Sequence, residues 1–126
     1  GDIGYSYVEV DLSNQHVYLI IDGKLVEDSP CVTGCVKKGH GTPDGLYSIT
    51  YKESPSVLRG EDYETKVNFW MPFNRGIGLH DATWRDKFGG DIYYSSGSHG
   101  CVNLPYQKAA VIYENIYAGM PVICYY

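Results

Sequence analysis

The amino-acid sequence predicts a mostly β domain with one principal helix. Thirteen tyrosines against 2 methionines and 3 phenylalanines favour strands over a helical bundle. Fifteen glycines and 6 prolines supply frequent turns. Apolar and polar residues alternate with a period of two near the start of the chain, as they do in a half-buried strand. At 126 residues the chain reads as a single domain, 1–126, of a size that buries roughly two-thirds of its unfolded surface. Its 44% of hydrophobic residues exclude a disordered chain.

The elements follow in order. Over residues 5–12, Val8, Val10 and Leu12 share one face and Glu9 and Asp11 the other, which is a strand. Ser13-Asn14-Gln15 turns the chain into a second strand at 16–21. Asp22-Gly23 then signals a hairpin into Lys24-Leu25-Val26, so the first third is a β-meander. Glycines at 34, 39 and 41 punctuate a loop before Thr42-Pro43-Asp44-Gly45 and a strand at 46–51. Residues 54–64 have no clear period and read as an exposed connection; 67–73 is an apolar strand ending at Pro72. Asp81 is expected to cap a short helix running to Lys87, with Gly89 as its stop. The principal helix is expected at 105–118. Pro105 suits its first position, and Tyr106, Ala109, Ala110, Tyr113, Ile116 and Tyr117 fall on one face. Gly119 and Pro121 end it, and 122–125 closes the chain as a strand.

Charge and cysteine usage narrow the function. The net charge is −5 and no basic cluster exceeds Lys37-Lys38, which argues against nucleic acid or an anionic membrane as partner. No apolar run approaches the ~20 residues of a membrane span, and no signal peptide is recognisable. The start at Gly1-Asp2-Ile3-Gly4 reads as that of an excised domain or mature fragment, with an N-terminal part and any export signal lying upstream. Cys31, Cys35, Cys101 and Cys124 are too few and too irregularly spaced for a disulfide scaffold. Cys31 and Cys35 border a Gly-containing turn, and free thiols are expected there.

The residues that carry chemistry concentrate in Ser98-His99-Gly100-Cys101-Val102-Asn103. A cysteine beside glycine, in a loop leading to a helix start, has the makings of a nucleophile. Loop N–H groups can face a developing oxyanion, and a helix start lowers a thiol pKa. Two histidines are candidate bases: His99, two residues away on the same face of an extended segment, and His80, arriving from a neighbouring strand. Two other readings compete: a buried structural cysteine with ordinary histidines, and a zinc set drawn from His80, His99, Cys101 and an aspartate. No HExxH or paired CxxC motif supports the metal.

This segment resembles the active-site signature of the L,D-transpeptidase catalytic domain, the YkuD-type family. That signature is a histidine, a spacer of about 14–17 residues, then [Ser/Thr]-His-Gly-Cys-hydrophobic-[Arg/Asn]. Here His80 is followed by the 17 residues 81–97 and then Ser98. Thr42-Pro43-Asp44-Gly45-Leu46-Tyr47-Ser48-Ile49 is similar to the family's TPxGxYxI element, and Trp70-Met71-Pro72-Phe73 and Gly78-Leu79-His80-Asp81-Ala82 resemble Gram-positive members. The resemblance implies a β-sandwich-like catalytic fold, with Cys101 as the acylated nucleophile and His80 as its base. The backbone oxygen of Asp81, or Ser98, would orient the imidazole. His99 and Gly100 would shape the loop, and the Gly100 and Cys101 N–H groups would be oxyanion donors. Trp70, Met71, Phe73 and Trp84 are candidate walls of a substrate site, with Asn103 supporting the loop by hydrogen bonding. Arg75 and Lys87 are candidates to meet an anionic substrate group.

The implied activity is acyl transfer on peptidoglycan stem peptides, releasing D-Ala from a donor tetrapeptide and forming 3→3 cross-links. A cysteine L,D-carboxypeptidase and a non-catalytic wall-binding module are the rivals. No cofactor or metal is expected. Stem peptides and carbapenem-type inhibitors are the expected partners of a monomeric domain on the outer face of a Gram-positive cell.

Overall fold

The computed structural model describes residues 5–60 and 63–126. Gly1-Asp2-Ile3-Gly4, and positions 61 and 62 of the expected connection, lie outside the described residues. The meander forms as read: β1 (Tyr7–Asp11), β2 (His16–Ile21) and β3 (Lys24–Pro30) pair antiparallel in succession. β1 then pairs in parallel with β10 (Pro121–Tyr125), which pairs with β4 (Gly45–Ser48), giving a five-stranded sheet in the order β3-β2-β1-β10-β4. A three-stranded sheet is built from β7 (Trp70–Asn74), β8 (Ile77–Asp81) and β9 (Val102–Leu104). β5 (Ser56–Arg59) and β6 (Glu64–Val67) form a separate hairpin. The helices are α1 (Ile92–Ser96) and α2 (Tyr106–Asn115). Neither is long and apolar enough to cross a membrane.

One core joins the layers. Val8, Val10, Val17, Leu19 and Val122 come from the large sheet; Met71, Phe73, Leu79, Val102 and Leu104 come from the small one; Ala109 and Ile112 come from α2. The alternation read at residues 5–12 is the inward set of β1, because successive side chains of a strand face opposite ways. An ion pair between Lys108 Nζ and Glu27 Oε1 (2.8 Å) ties α2 to β3. That contact, offset in part by burial, holds the Glu27 carboxyl below the usual carboxylate range.

Three expectations are corrected. Residues 54–64 are not a plain connection: β5 and β6 pair there, with Leu58 opposite Thr65. Asp81 does not cap a helix at 81–87. It ends β8, and its carboxylate turns back to accept N–H groups from Asn68 and Phe69, both at 2.8 Å, together with the Asn68 side-chain amide at 2.7 Å. The principal helix is shorter than 105–118, because Ile116 is already extended, and its core face is carried by Ala109 and Ile112. Tyr106 and Tyr117 of the expected face are exposed.

Candidate active site

β8 and β9 run parallel in a register that sets His80 opposite Asn103. Partners in a parallel ladder project to the same side, and residues two apart along a strand share that side. Cys101, just ahead of β9, therefore faces the same way as Asn103 and His80.

His80 is buried, and its Nδ1 lies 2.7 Å from the backbone oxygen of Asp81. A carbonyl only accepts, so Nδ1 carries the proton and Nε2 is left with its lone pair. The Asn103 amide stands 3.2 Å from Nε2 through Nδ2, and its Oδ1 accepts from Arg85 Nε at 2.9 Å. Arg85 can only donate. The chain Arg85→Asn103→His80→Asp81 carbonyl thus has one consistent direction, which fixes the amide orientation and the tautomer together. Burial holds the imidazole below the usual histidine range, outweighing the Asp81 carbonyl, which acts in the opposite sense; the Arg85 charge adds to the lowering. His80 is neutral at pH 7, with an unprotonated Nε2. Of the two expected orienting groups, the Asp81 backbone oxygen takes the position. Ser98 makes no bond to the ring among the described residues.

Ser98 instead pins the Cys101 loop. Its Oγ donates to the Cys101 carbonyl at 2.5 Å and accepts the Gly100 N–H at 3.1 Å. The Gly100 N–H is thereby engaged, which corrects its expected part as an oxyanion donor. The Cys101 N–H meets no protein acceptor among the described residues. Gly100 has φ of 134°, a conformation L side chains rarely adopt, and a Cβ there would press on Ile77. Thr42 holds the loop from behind: its hydroxyl donates to the Gly100 carbonyl (2.6 Å) and accepts the Gly34 N–H (2.9 Å). The upstream threonine-proline element is therefore a brace for the Cys101 loop.

The Cys101 thiol is half-buried, and Sγ donates to the Gly76 carbonyl at 3.4 Å. Burial pushes its pKa up to about 11, partly opposed by the Gly78 N–H. The sequence pointed the other way, to a thiol acidified by a helix start. The difference has a plain cause: β9 intervenes, and α2 begins only at Tyr106. Cys35 is the cysteine held below its ordinary value. Burial acts to raise it, but the backbone N–H groups of Lys38, Gly97 and Lys37 and the Lys38 charge prevail. All four cysteines are free thiols.

One cavity of about 300 Å³ is lined by His80, Trp84, Arg85, Ser98, Cys101 and Asn103, together with Leu58, Tyr63 and Thr65 of the β5–β6 hairpin and Gly97 and His99 of the Cys101 loop. Trp84 is exposed there, its ring 6.0 Å from His80. Of the other expected walls, Met71 and Phe73 are core residues and line no part of the cavity, because the small sheet turns them towards α2 and the large sheet. Trp70 lies behind His80, its ring 6.0 Å away, with Nε1 donating to the Tyr51 hydroxyl. His99 stacks on Tyr63 at 5.1 Å and makes no hydrogen bond to Cys101 among the described residues. Neither Arg75, in the turn between β7 and β8, nor Lys87 lines the cavity; Arg85 does. Sequence reasoning missed Arg85 and the hairpin wall. Its position four residues beyond the end of β8 offered no local signal, since Arg85 acquires its role from Asn103 and Ser96, distant in the chain. No group of three or more potential ligands converges on a metal position among the described residues.

The comparisons with known proteins agree with this layout. The family model described as the L,D-transpeptidase catalytic domain, YkuD, matches residues 5–124. A cysteine-to-serine variant of the Enterococcus faecium L,D-transpeptidase is 36% identical with a TM-score of 0.91, the match covering 98% of this chain and 50% of that one. The catalytic domain of the E. faecium enzyme acylated by ertapenem is 37% identical with a TM-score of 0.86, over 99% of this chain and 100% of that one. An L,D-transpeptidase from Stackebrandtia nassauensis is 30% identical with a TM-score of 0.80, over 98% and 56%. The chain thus spans about half the length of the longer relatives. No curated protein sequence matches it. The mostly β fold, the family match along almost the whole chain and the two motifs now seen braced against each other agree: this chain belongs to the YkuD family of L,D-transpeptidase catalytic domains.

Proposed function

We propose that the chain is a peptidoglycan L,D-transpeptidase with Cys101 as nucleophile and His80 as general base. The observation that carries this reading is the convergence of one thiol and one neutral, correctly tautomerised imidazole on a single cavity. In the acylation step, Sγ attacks the carbonyl of the third, diamino-acid residue of a donor tetrapeptide as the thiol proton passes to His80 Nε2. The Cys101 N–H faces the oxyanion. Collapse breaks the C–N bond, and the imidazolium returns its proton to the departing D-Ala amine, leaving a thioester on Cys101. An amine from a neighbouring stem then attacks the thioester and loses its proton to the same imidazole. The thiolate leaves, is reprotonated by His80, and a 3→3 link remains.

His80 can serve both halves because the Asp81 carbonyl fixes its ring plane, and the Nε2 lone pair, which accepts the Asn103 amide at rest, exchanges that bond for the incoming proton. The relative acylated by ertapenem supports carbapenems as acylating agents of Cys101. A peptidoglycan substrate implies a setting at the wall of a Gram-positive cell, outside the membrane. We place the domain there as a monomer.

The test is intact-mass analysis of the 126-residue chain incubated with a stem tetrapeptide, with and without an acceptor stem. The expected results are a Cys101 adduct lacking D-Ala, a cross-linked dimer when the acceptor is present, and neither product with Cys101→Ala. Free tripeptide as the sole product, even with acceptor, would assign the chain to the L,D-carboxypeptidases. Binding of peptidoglycan with no adduct would leave a wall-binding module.

A further inference from the structure

Resting on that reading, we infer that Arg85 recognises the C-terminal carboxylate of the donor stem, one residue beyond the scissile carbonyl, and thereby selects tetrapeptide over pentapeptide donors.

Among the described residues lining the cavity, Arg85 is the only lysine or arginine. Its guanidinium is pinned rather than free: Nε donates to Asn103 Oδ1 at 2.9 Å and Nη1 to the Ser96 carbonyl at 3.0 Å. Two of its five N–H groups are thus spent, and the other three have no protein acceptor among the described residues. No carboxylate pairs with it either, since the ion pairs among the described residues join other side chains. A half-buried guanidinium with a fixed plane, unspent donors and no counter-ion suits a planar anion, which it can hold with two parallel hydrogen bonds.

The reach matches. Asn103 lies two residues beyond Cys101, which is about 6.5 Å of strand, and Arg85 extends that line by one hydrogen bond. On the ligand side, the attacked carbonyl carbon sits about 3–3.5 Å from sulfur. The carboxyl carbon of the next residue lies about 3.5 Å further along the chain. A tetrapeptide donor therefore brings its terminal carboxylate to the guanidinium as its third carbonyl meets Sγ. A pentapeptide puts an uncharged amide at that place and must run another residue past the arginine. A docked carboxylate also offsets the positive charge that stands against protonation of His80 through Asn103, so the base is relieved when the correct donor is bound.

The experiment uses wild type, Arg85→Gln and Arg85→Lys with three donors: a stem tetrapeptide, the same peptide as its C-terminal amide, and the pentapeptide. Release of the leaving residue is followed to obtain kcat/KM. Wild type should prefer the free acid over the amide by about 10–100-fold, the value of a charge-assisted pair. Because Arg85 also orients Asn103, Arg85→Gln should slow all donors, but the acid-to-amide ratio should collapse towards one. Arg85→Lys should retain part of that ratio. If Arg85→Gln slows acid and amide alike and leaves the ratio intact, the arginine acts only through Asn103 and the inference fails. It also fails if wild type does not discriminate acid from amide. A wild-type chain that is acylated by none of the three donors overturns the transpeptidase reading and this inference with it.

Discussion

Thr42→Val tests the claim that the upstream motif exists to hold the Cys101 loop. Valine keeps the shape of threonine and removes one hydroxyl, which is fully buried and serves two backbone groups at once: it donates to the Gly100 carbonyl and accepts the Gly34 N–H. The variant strands a donor and an acceptor in a site that a methyl group keeps dry. Each buried orphan costs about 1–3 kcal/mol, so the pair costs about 2–4 kcal/mol once partial relaxation is allowed. For a chain between the small and medium domain sizes, 1 kcal/mol moves Tm by about 3–5 °C, and the expected fall is on the order of 10 °C. Thr42→Ser keeps both bonds and should melt near wild type. Activity adds a second readout. The freed Gly100 carbonyl lets the Cys101 loop drift, and misplacement of a nucleophile by about 1 Å costs on the order of 100-fold in rate. Acylation of Thr42→Val by a tetrapeptide, measured well below its Tm, should therefore fall by about 10–100-fold. A melting point within about 2 °C of wild type, or a normal acylation rate, would refute the bracing argument.

Three further outcomes are expected. His80→Ala should slow Cys101 acylation by about 100–10,000-fold, whereas His99→Ala, which loses its ring contacts with Tyr63 and His40, should act through loop geometry and cost far less; equal losses measured by mass-resolved acylation kinetics would contradict this. Burial lowers the His80 pKa, so the unfolded chain takes up its proton first as pH falls; this contribution to stability is complete above about pH 6.5 and is lost below it as pH descends towards the folded value. Urea melts of wild type and His80→Gln between pH 5 and 7.5 should show the wild-type stability falling more steeply on the acid side. Brief alkylation with peptide mapping should label Cys101 before the other cysteines because its sulfur is reachable, and its rate should climb steadily from pH 7 to 10 without levelling near the usual thiol pKa, as burial raises it. Prior labelling of Cys35, which is only 1% exposed, would overturn that order.

What the sequence disclosed, and what it withheld, follows the range of each interaction. The meander was legible because alternation and an Asp-Gly turn are local. The signature was legible because a histidine, a fixed spacer and Ser-His-Gly-Cys occupy fixed chain positions. β8 and β9 left little trace, since a short strand covered on both faces shows no alternation. The β5–β6 hairpin was hidden by strands of four residues each, with Pro55 and charged residues around them. Asp81 resembled a helix cap because an aspartate ahead of a polar stretch usually is one; its true partners, Asn68 and Phe69, lie 13 and 12 residues upstream. Trp70, Met71 and Phe73 were grouped by adjacency, but the small sheet buries all three, and Met71 and Phe73 belong to the core.

The reversal at Cys101 bears on mechanism. An acidified thiol would rest as a thiolate beside an imidazolium, attacking any electrophile that entered. Here burial raises the thiol, burial lowers His80, and the thiol proton lies towards the Gly76 carbonyl and away from Nε2. The resting pair is neutral. Under the proposed mechanism, proton transfer is then tied to attack: it becomes favourable only when an acyl carbonyl is in place to accept the electron pair and the Cys101 N–H can face the oxyanion. Such a site forfeits indiscriminate reactivity, because alkylating agents and oxidants act chiefly on the thiolate. It favours acyl donors that bind well, or carry strain, as a lactam does. The same logic assigns a purpose to the Arg85–Asn103 relay. In a neutral pair, whatever adjusts the basicity of His80 on substrate docking controls the rate, and the side chain placed to do so is the one that would hold the donor's terminal carboxylate.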